Sequence, residues 1–431
     1  MSYKERVIFF CVGDSSKVFK RFGANPWNLL RDYTYQSIML AIADEPLSIS
    51  EIASKVSLDE AEVSKRLNNL MSCGLVKKIN DQFATTIPVI SDFKAGILKS
   101  LLRGLINHIK SRVIRELPIV RDSFHKTPIS KHFSWNDLAH IIVGAFLMDF
   151  AFLSCVESLM VREGLFFEWS PEQIIIPFFG LEIGPNQENF GVNSQVLDGC
   201  GISIIHATFV NRPLEIFHEI TREDLKQAIV SICSGEFVGE VPKRLLELEL
   251  IRRENGYVLN IPFLRSKDKD ILTETVLEVS HRVAEAAISK YNIIRKAFRD
   301  LSYNMWISGI GDFVEMVLHF IMALVIKELS SEGHLPRIPI RPKMNWGIWL
   351  WEKPWTLSLS KIYAHLLLEI EEIMDKWGTS KDAKSSLARS KDLFSIGKQG
   401  EALRMLKEIL DAYKMIQATR GFLTNNINRS F

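Results

Sequence analysis

The chain has 431 residues, enough for about three average domains. Hydrophobic residues make up 47% and charged residues 24%, the balance of a soluble globular protein with a large core. The formal net charge of +2 excludes a globally basic nucleic-acid-binding protein, so any nucleic-acid surface must be a local patch. The five cysteines are scattered without a CxxC pair, which argues against a disulfide framework and favours a cytoplasmic location.

Two helix-start signals follow an N-terminal segment, residues 1–26, that lacks the pattern of a signal peptide. Ser48 with Glu51 has the spacing of a capping box and starts one short helix. Ser57 with Glu60 has the same spacing and starts a longer helix. Two short helices in this order predict a helix-turn-helix.

A left-handed cap and a hairpin follow the longer helix. Gly74 ends that helix, and residues 75–88 form two short strands that turn near Asn80, which predicts the wing of a winged helix. Over about residues 30–90 the chain resembles the ArsR/MarR-type winged helix of prokaryotic transcription regulators, in the stretch RDYTYQSIMLAIADEPLSISEIASKVSLDEAEVSKRLNNLMSCGLVKK. The resemblance implies that the unit 27–91 binds DNA. ArsR metal sensors carry a Cys-x-Cys pair where this chain has SISEIA, so we predict no metal site.

The longer helix presents two different faces. Val63, Leu67 and Leu70 fall on the inward face, which turns Lys65 and Asn68 outward. Lysines of the turn and wing extend that surface as phosphate contacts, and asparagines can donate to base edges. The alternative for the lysines is a solvated face without a ligand. The predicted DNA-contacting residues are Lys55, Ser57, Ser64, Lys65, Asn68, Asn69, Lys77, Lys78 and Gln82.

The acidic start of the longer helix needs an explanation in a DNA-binding unit. Asp59 and Glu60 lie in the first turn, where carboxylates are stabilised by the helix dipole. Glu62 would face phosphates unless it accepts a hydrogen bond from a cytosine amino group.

Two strongly apolar helices follow, at Leu138–Val161 and Phe313–Ile326. The first contains Asp149 and the second contains Glu315 and His319, and a charge near the centre of a membrane-spanning helix costs about 2.5–3.5 kcal/mol. We therefore expect buried core helices and no membrane span. Their buried polar residues either line a cavity for a polar or cationic effector or lie at a domain seam.

The chain repeats part of its own sequence. The stretches that begin at Ile87 and Ile261 align without a gap through Phe124 and Phe298. The similarity extends upstream into the predicted wing, so it predicts an internal duplication. The expected fold class is mainly α with short β-hairpins (α+β), in which duplicated winged-helix units carry long helices that form a helical body.

The two copies differ in charge. Residues 92–126 have eight Lys/Arg and three acids, a net +5, whereas residues 266–300 have seven against six, a net +1. The second copy also has a short first helix, and Pro242 replaces Ser64. We therefore assign DNA contact to the first copy. The pair predicts an intrachain pseudo-dimer, with a homodimer as the alternative.

The last part of the chain offers two candidate docking surfaces for a protein partner. Trp349 and Trp351 share one face of a strand, which serves either a partner or the core. Residues 388–413 resemble a single tetratricopeptide-type hairpin with Gly397 at its turn. The predicted order is N-terminal segment 1–26, winged helix-turn-helix 27–91, first helical body 92–165, mixed β/loop segment 166–220, degenerate winged helix 221–265, second helical body with the Trp-rich segment 266–380, and helical hairpin with tail 381–431.

No catalytic motif is present, so we predict no enzyme, no catalytic residue and no cofactor. The expected function is a cytoplasmic DNA-binding transcription regulator, with the body used for dimerisation or effector sensing. The alternative is an adaptor that uses winged helices for protein contacts and does not bind DNA.

Overall fold

The protein is described here by a computed structural model that covers most of the chain. Within the described residues it is mainly helical, with short strands in four small sheets, which confirms the predicted α+β class. The described residues are 6–11, 18, 22–162, 165, 178–197, 200–208, 222–234, 242–254, 256–301, 310–338, 345–352, 370, 374, 381–395 and scattered positions between 402 and 412.

The first head, residues 27–90, is a winged helix. Ile38, Ile52 and Leu67 come from three successive helices and are fully buried in one core, which Phe83 of the wing completes. Gly74 has a φ of 67°, which confirms the predicted left-handed cap. Strand β1 (Val7–Cys11) precedes the head, whose elements are α1 (Trp27–Leu30), α2 (Tyr33–Ala41), α3 (Ile49–Val56), α4 (Glu60–Ser72), β2 (Val76–Ile79), β3 (Gln82–Thr85) and β4 (Val89–Ile90).

The caps of α3 and α4 differ from the prediction at one point. Ser48 and Glu51 form the predicted capping box, in which the Ser48 amide donates to Glu51 Oε2 at 2.7 Å. Ser57 does not start α4, because it closes α3 in a left-handed conformation with a φ of 56°. Instead the Asp59 carboxylate caps α4 and accepts from the Glu62 amide at 2.7 Å. The predicted second capping box at Ser57 is wrong, since the turn out of α3 uses that residue first.

A three-stranded sheet ties the first half of the chain together. Strand β5 lies between β1, to which it is antiparallel, and β4, to which it is parallel. These pairings cross the predicted domain boundaries, because β1 belongs to the segment 1–26 and β5 to the segment 166–220. The elements after the first head are α5 (Asp92–His125), a 3-10 turn (Pro128–Lys131), α6 (Trp135–Ala139), a π-helical segment (His140–Phe152), α7 (Leu153–Arg162) and β5 (Phe178–Glu182).

The second half has a similar order of elements. Its second head, residues 222–264, also ends in a hairpin and a short strand, and its four-stranded sheet has the order β10-β11-β7-β6. The elements are β6 (Phe190–Leu197), β7 (Cys200–Ala207), α8 (Glu223–Ser234), α9 (Lys243–Glu247), β8 (Ile251–Glu254), β9 (Gly256–Leu259), β10 (Phe263–Leu264), α10 (Ser266–Ile288), α11 (Tyr291–Asp300), α12 (Gly311–Ser331), β11 (Ile348–Trp351) and α13 (Lys381–Ser395).

Individual hydrogen bonds recur between the two halves. They join the head to its wing, the head to the central strand, and the start of the long helix to a glutamate at the end of that strand. This pattern pairs β5 with β11 and β1 with β7, and it supports the internal duplication, which stays a prediction. Each bond of the first half and its counterpart are Leu75 N–Leu70 O (2.9 Å) and Leu250 N–Leu245 O (3.0 Å); Thr86 N–Leu75 O (3.0 Å) and Asn260 N–Leu250 O (2.8 Å); Gly180 N–Pro88 O (2.9 Å) and Leu350 N–Pro262 O (2.8 Å); Asp92 N–Glu182 Oε2 (3.0 Å) and Ser266 N–Glu352 Oε2 (2.6 Å).

The matched bonds correct the predicted alignment of the two heads. With Leu245 matched to Leu70, Pro242 stands opposite Leu67 and not opposite Ser64. Helix α9 therefore corresponds to the end of α4 alone, with 5 residues against 13. Pro is favoured at helix starts because it lacks the amide hydrogen that an interior position needs.

The long helices of the two halves pack antiparallel. Ser123 Oγ, near the end of α5, donates to Ile271 O at 3.2 Å, near the start of α10. Lys94 Nζ, near the start of α5, donates to Leu301 O at 3.2 Å, just beyond α11. Each head precedes its own long helix, so the two heads lie at opposite ends of this helix pair.

The apolar helices fill the core between the halves. One described helix, Trp135–Glu157, is long and apolar enough to cross a bilayer, and most of it is buried inside the protein. Phe146 of the π-helical segment packs against Trp351 with ring centroids 4.6 Å apart. Trp349 and Trp351 are both fully buried, so the strand face that they share is turned into the core, which is the second of the two uses predicted for it.

The predicted C-terminal hairpin is only partly described. Ala402 is fully buried, and its carbonyl oxygen accepts from Ser390 Oγ of α13 at 2.9 Å. The turn at Gly397 lies outside the described residues. The tetratricopeptide-type hairpin therefore stays a prediction.

Candidate nucleic-acid interface

One face of α4 is a continuous exposed stripe. Ala61, Lys65, Asn68 and Ser72 follow one another at helical spacing, and all four are exposed. The side chains of Lys65 and Asn68 make no hydrogen bond or ion pair with the described part of the chain. We call these four residues the reading stripe, and the predicted outward placement of Lys65 and Asn68 is confirmed.

A second face of α4 is tied to α2. Arg66 Nε donates to Glu62 Oε1 at 2.7 Å, and Arg66 Nη1 donates to Asp32 Oδ2 at 2.9 Å. The guanidinium lies 4.8 Å from the centre of the Tyr35 ring. Asn69 Nδ2 donates to the Tyr35 hydroxyl at 2.7 Å. Asn69, a predicted DNA contact, is thus held by its own head, because it shares the Arg66 face and not the reading stripe.

This network explains the acidic start of α4. Glu62 is half-buried beside Arg66, so its charge is compensated within the head. Burial would lower the pKa of Arg66, but the hydrogen bonds to Asp32 and Glu62 outweigh it and raise that pKa. Asp59 is used as the helix cap. The carboxylates therefore stabilise the start of α4 and leave Glu60 as the exposed acid beside the reading stripe.

The wing carries the next group of predicted contacts. Lys78 is exposed, pairs with Asp81 at 3.3 Å, and lies 6.0 Å from the centre of the Phe83 ring. Lys77 is half-buried, and burial lowers its pKa. Gln82 is exposed at the start of β3. The wing thus presents two cations and one amide, of which Lys78 already has a carboxylate neighbour.

The remaining predicted contacts contribute little to a positive surface. Lys55 pairs with Glu45 at 3.3 Å, and both side chains are exposed. Ser57 is exposed in the turn between the helices. Ser64 is half-buried on α4, between the reading stripe and the core.

The basic residues of α5 are used mainly inside the protein. Burial alone would raise the pKa of Glu328, but hydrogen bonds from Lys110 and Arg103 lower it. Five of the eight basic residues of this stretch thus have carboxylate neighbours, which lie on or just after α12, in two loops and on α5 itself, so the net +5 overstates the positive charge that this helix exposes. The pairs are Lys94–Asp44 (2.8 Å), Lys99–Glu188 (3.8 Å), Arg103–Glu328, Lys110–Glu328 (2.9 Å), Lys110–Glu332 (2.5 Å) and Arg112–Glu116 (3.2 Å).

The polar residues predicted on the apolar helices meet at the seam between the halves. His319 Nδ1 lies 2.8 Å from Glu315 O, and its Nε2 lies 3.8 Å from Asp149 Oδ1. Burial raises the pKa of Asp149 to about 8 and lowers the pKa of His319 to about 4. Among the described residues no group of three or more His, Cys, Asp or Glu side chains is placed to hold a metal ion. This burial favours the interpretation that these polar residues lie at a domain seam.

Sequence reasoning missed the residues that shape the second face of α4. The i, i+4 spacing of Glu62 and Arg66 is a signal that was available, since such pairs meet on a helix surface. Asp32 and Tyr35 come from another helix and carry no local signal. Only the packing of α2 against α4 brings them together.

Comparison with known proteins identifies the same part of the chain. Residues 37–78 match the family model described as bacterial regulatory protein, arsR family. The match runs from α2 through α3 and α4 into β2, and so includes the reading stripe. No curated protein and no solved structure matches the chain.

Proposed function

Since residues 37–78 carry an arsR-type helix-turn-helix, which indicates a DNA-binding transcription regulator, we propose that the first head is the part that binds duplex DNA. The reading stripe of α4 lies in the major groove, and the wing lies on the phosphate backbone. Asn68 donates to base edges, whereas Lys65, Lys77 and Lys78 neutralise phosphates.

The observation that carries this proposal is the exposure of the reading stripe. A helix can enter a groove only if its outward face is clear of the rest of the protein, and Ala61, Lys65, Asn68 and Ser72 are all exposed. The other face of α4 is fixed to α2 through Arg66, which holds the helix rigidly on its head.

The body holds the two heads at fixed separation, so that one chain acts as a pseudo-dimer. Packing of α5 against α10 and α11 supports this role, and a homodimer is the alternative. We also propose that the protein works in the cytoplasm of a prokaryote, that it has no catalytic activity, and that an effector, if one exists, acts at the seam around Asp149 and His319.

Binding to a fluorescein-labelled duplex of about 10 bp, measured by anisotropy over a range of salt concentrations, tests the proposal. Three neutralised phosphates predict a slope of about −2.7 in a plot of log affinity against log salt. The double variant Lys65→Glu with Lys77→Glu should weaken binding at least tenfold. A matched control, Lys381→Glu with Lys384→Glu on α13, should leave binding unchanged, because both lysines are exposed and belong to neither head.

One observation favours the adaptor as a second candidate. The exposed surface of the first head is nearly neutral, because Glu60 adjoins the reading stripe and Lys55 and Lys78 have carboxylate neighbours. An affinity that does not change with salt, or a Lys65→Glu with Lys77→Glu variant that binds duplex as well as the unmodified chain, would support the adaptor and contradict DNA binding.

A further inference from the structure

The contacts at the two ends of the helix pair are those that an approximate two-fold rotation between the halves would produce. The 3-10 turn after α5 contacts the start of α10, where the Ile129 amide donates to Asp268 Oδ1 at 2.8 Å. The start of α5 contacts the end of α11 in the same way, through Lys94 and Leu301. A two-fold axis that crosses the helix pair exchanges these contacts and exchanges the heads. The two wings therefore have the same orientation with respect to that axis.

The second head retains a basic wing. Arg252 and Arg253 lie two and three residues after Leu250, as Lys77 and Lys78 lie after the matched leucine of the first head. Both arginines are exposed on β8, which pairs antiparallel with β9 as β2 pairs with β3. The charge of the wing is thus the same in the two heads, with arginine in place of lysine.

The described helix before the second wing is much shorter than the one before the first wing. Helix α9 has 5 residues and begins after Pro242, where α4 has two further turns. Its exposed cations are compensated locally, since Lys243 and Arg244 both pair with Glu247, at 3.5 and 3.0 Å. A helix this short offers no stripe comparable to that of α4, so the second head can contact phosphates but cannot read a major groove as the first head does.

We propose that the second wing is a sequence-independent phosphate anchor, through Arg252 and Arg253, and that the chain binds DNA asymmetrically. The first head reads bases at one end of the site, and the second wing grips the backbone at the other end. This inference rests on the proposed function of the first head.

The length of the helix pair sets the size of the site. Residues 94 and 123 of α5 mark its two ends, and at 1.5 Å per residue they are about 45 Å apart. At 3.4 Å per base pair that separation corresponds to about 13 bp. It matches no whole number of DNA turns, which base-reading dimers need. A phosphate anchor has no such requirement, because a phosphate follows every nucleotide.

The test compares two fluorescein-labelled, mixed-sequence duplexes with the full chain: one of about 10 bp, too short to span the two heads, and one of about 30 bp. The unmodified protein should show a salt slope of about −2.7 on the short duplex and about −4.5 on the long one, since two more phosphates are neutralised. Arg252→Glu with Arg253→Glu should reduce the long-duplex slope by about 2 and the affinity at least tenfold. The same variant should bind the short duplex as the unmodified protein does. Lys381→Glu with Lys384→Glu is the matched control.

Every other result contradicts either the anchor or the proposed function. Equal binding of both lengths by the unmodified chain, or an Arg252→Glu with Arg253→Glu variant that loses nothing on the long duplex, overturns the anchor and leaves the first head as the DNA-binding part. Equal losses on both lengths also overturn it, because the arginines then do not act at a distance. An unmodified chain that binds neither duplex overturns the proposed function, and the anchor with it.

Discussion

The two heads keep the same wing and the same helix end but differ in the helix that leads to them. In the first head α4 has 13 residues and starts at the Asp59 cap, whereas in the second α9 has 5 residues and no side-chain cap. Both helices end in a residue of positive φ, Gly74 at 67° and Glu249 at 56°. Both are followed by a hairpin and a strand that joins a central sheet.

Comparing the heads shows which parts of a head are required for folding and which parts mainly shape its exposed surface. The helix end, the wing and the short strand fix each head to its long helix and sheet, so losing them would uncover buried residues such as Leu70 and Leu245. The front turns of α4 supply Ala61 and Lys65 of the reading stripe, the Arg66 network and the buried Val63 and Leu67. The second head keeps a helix end, a wing and a strand with a described helix of only 5 residues, so the surface of these front turns is what distinguishes the two heads.

Truncating the matched leucines should have the largest effect. Leu70→Ala and Leu245→Ala each remove a fully buried side chain at the end of the helix. Each should lower the free energy of unfolding by about 2–5 kcal/mol, measured by urea denaturation. Met71→Ala and Leu246→Ala are half-buried controls and should cost less. If Leu245→Ala cost no more than Leu246→Ala, the second helix end would not pack as the first one does.

Burial of Asp149 at the seam between the halves should make the free energy of unfolding depend on pH, an effect of intermediate size. The pKa of Asp149 is raised from 3.8 to about 8, so the folded chain holds a proton that the unfolded chain has already lost. Stability is therefore present at low pH and lost as the pH rises toward 8. Between pH 6.5 and 8 the loss should be about 2 kcal/mol, measured by urea denaturation at both values.

Asp149→Asn should remove most of that slope, because an amide does not titrate and its oxygen can still accept from the Val192 amide. A smaller part should remain, because burial also raises the pKa of Glu157, to about 7. The neighbouring His319 has a pKa of about 4 and adds little above pH 6.5. Asp122→Asn, an exposed acid on α5, is the control and should leave the slope in place. A flat profile for the unmodified chain would show instead that Asp149 is ionised and paired with His319.

Removing Arg66 should have a smaller effect, confined to the first head. Arg66→Ala breaks the contacts to Glu62 and Asp32, which are partly exposed, so the loss of stability should be about 1 kcal/mol. DNA affinity should fall about three- to tenfold, because Glu62 then repels phosphates without compensation. Adding Glu62→Gln to Arg66→Ala should restore most of the affinity, as anisotropy can measure. Failure of that rescue would show that Arg66 acts through the position of α4 and not through charge.

Substituting the two residues of positive φ should have the smallest effects on stability. The substitution should destabilise the first head and stabilise the second. Gly74→Ala should cost about 1 kcal/mol from backbone strain, since an added Cβ would meet only Phe22 Cδ1 at 3.8 Å. Glu249→Gly should stabilise by up to about 1 kcal/mol, because the φ of 56° no longer strains a side chain. Thermal unfolding measures both. Changes of the same sign would contradict the equivalence of the two caps.

The sequence by itself determined the local features of the first head. Capping at Ser48, the left-handed turn at Gly74, the wing and the outward placement of Lys65 and Asn68 depend on short-range spacing, which a single chain displays directly. The error at Ser57 also has a local cause, because Ser48 and Ser57 precede a glutamate at the same spacing. In the structure Ser48 starts α3 and Ser57 ends it, while Asp59 starts α4.

The tertiary structure decided the meaning of the charges and of the segments around the heads. Arg103 and Lys110 of α5 pair with Glu328 of α12, Arg66 reaches Asp32 only where α2 packs on α4, and Trp349 and Trp351 enter the core because β11 lies between β7 and β10. Charge pairing and strand order join residues far apart in the chain. No spacing rule carries that information, since the free energy of each contact depends on partners that only folding brings together.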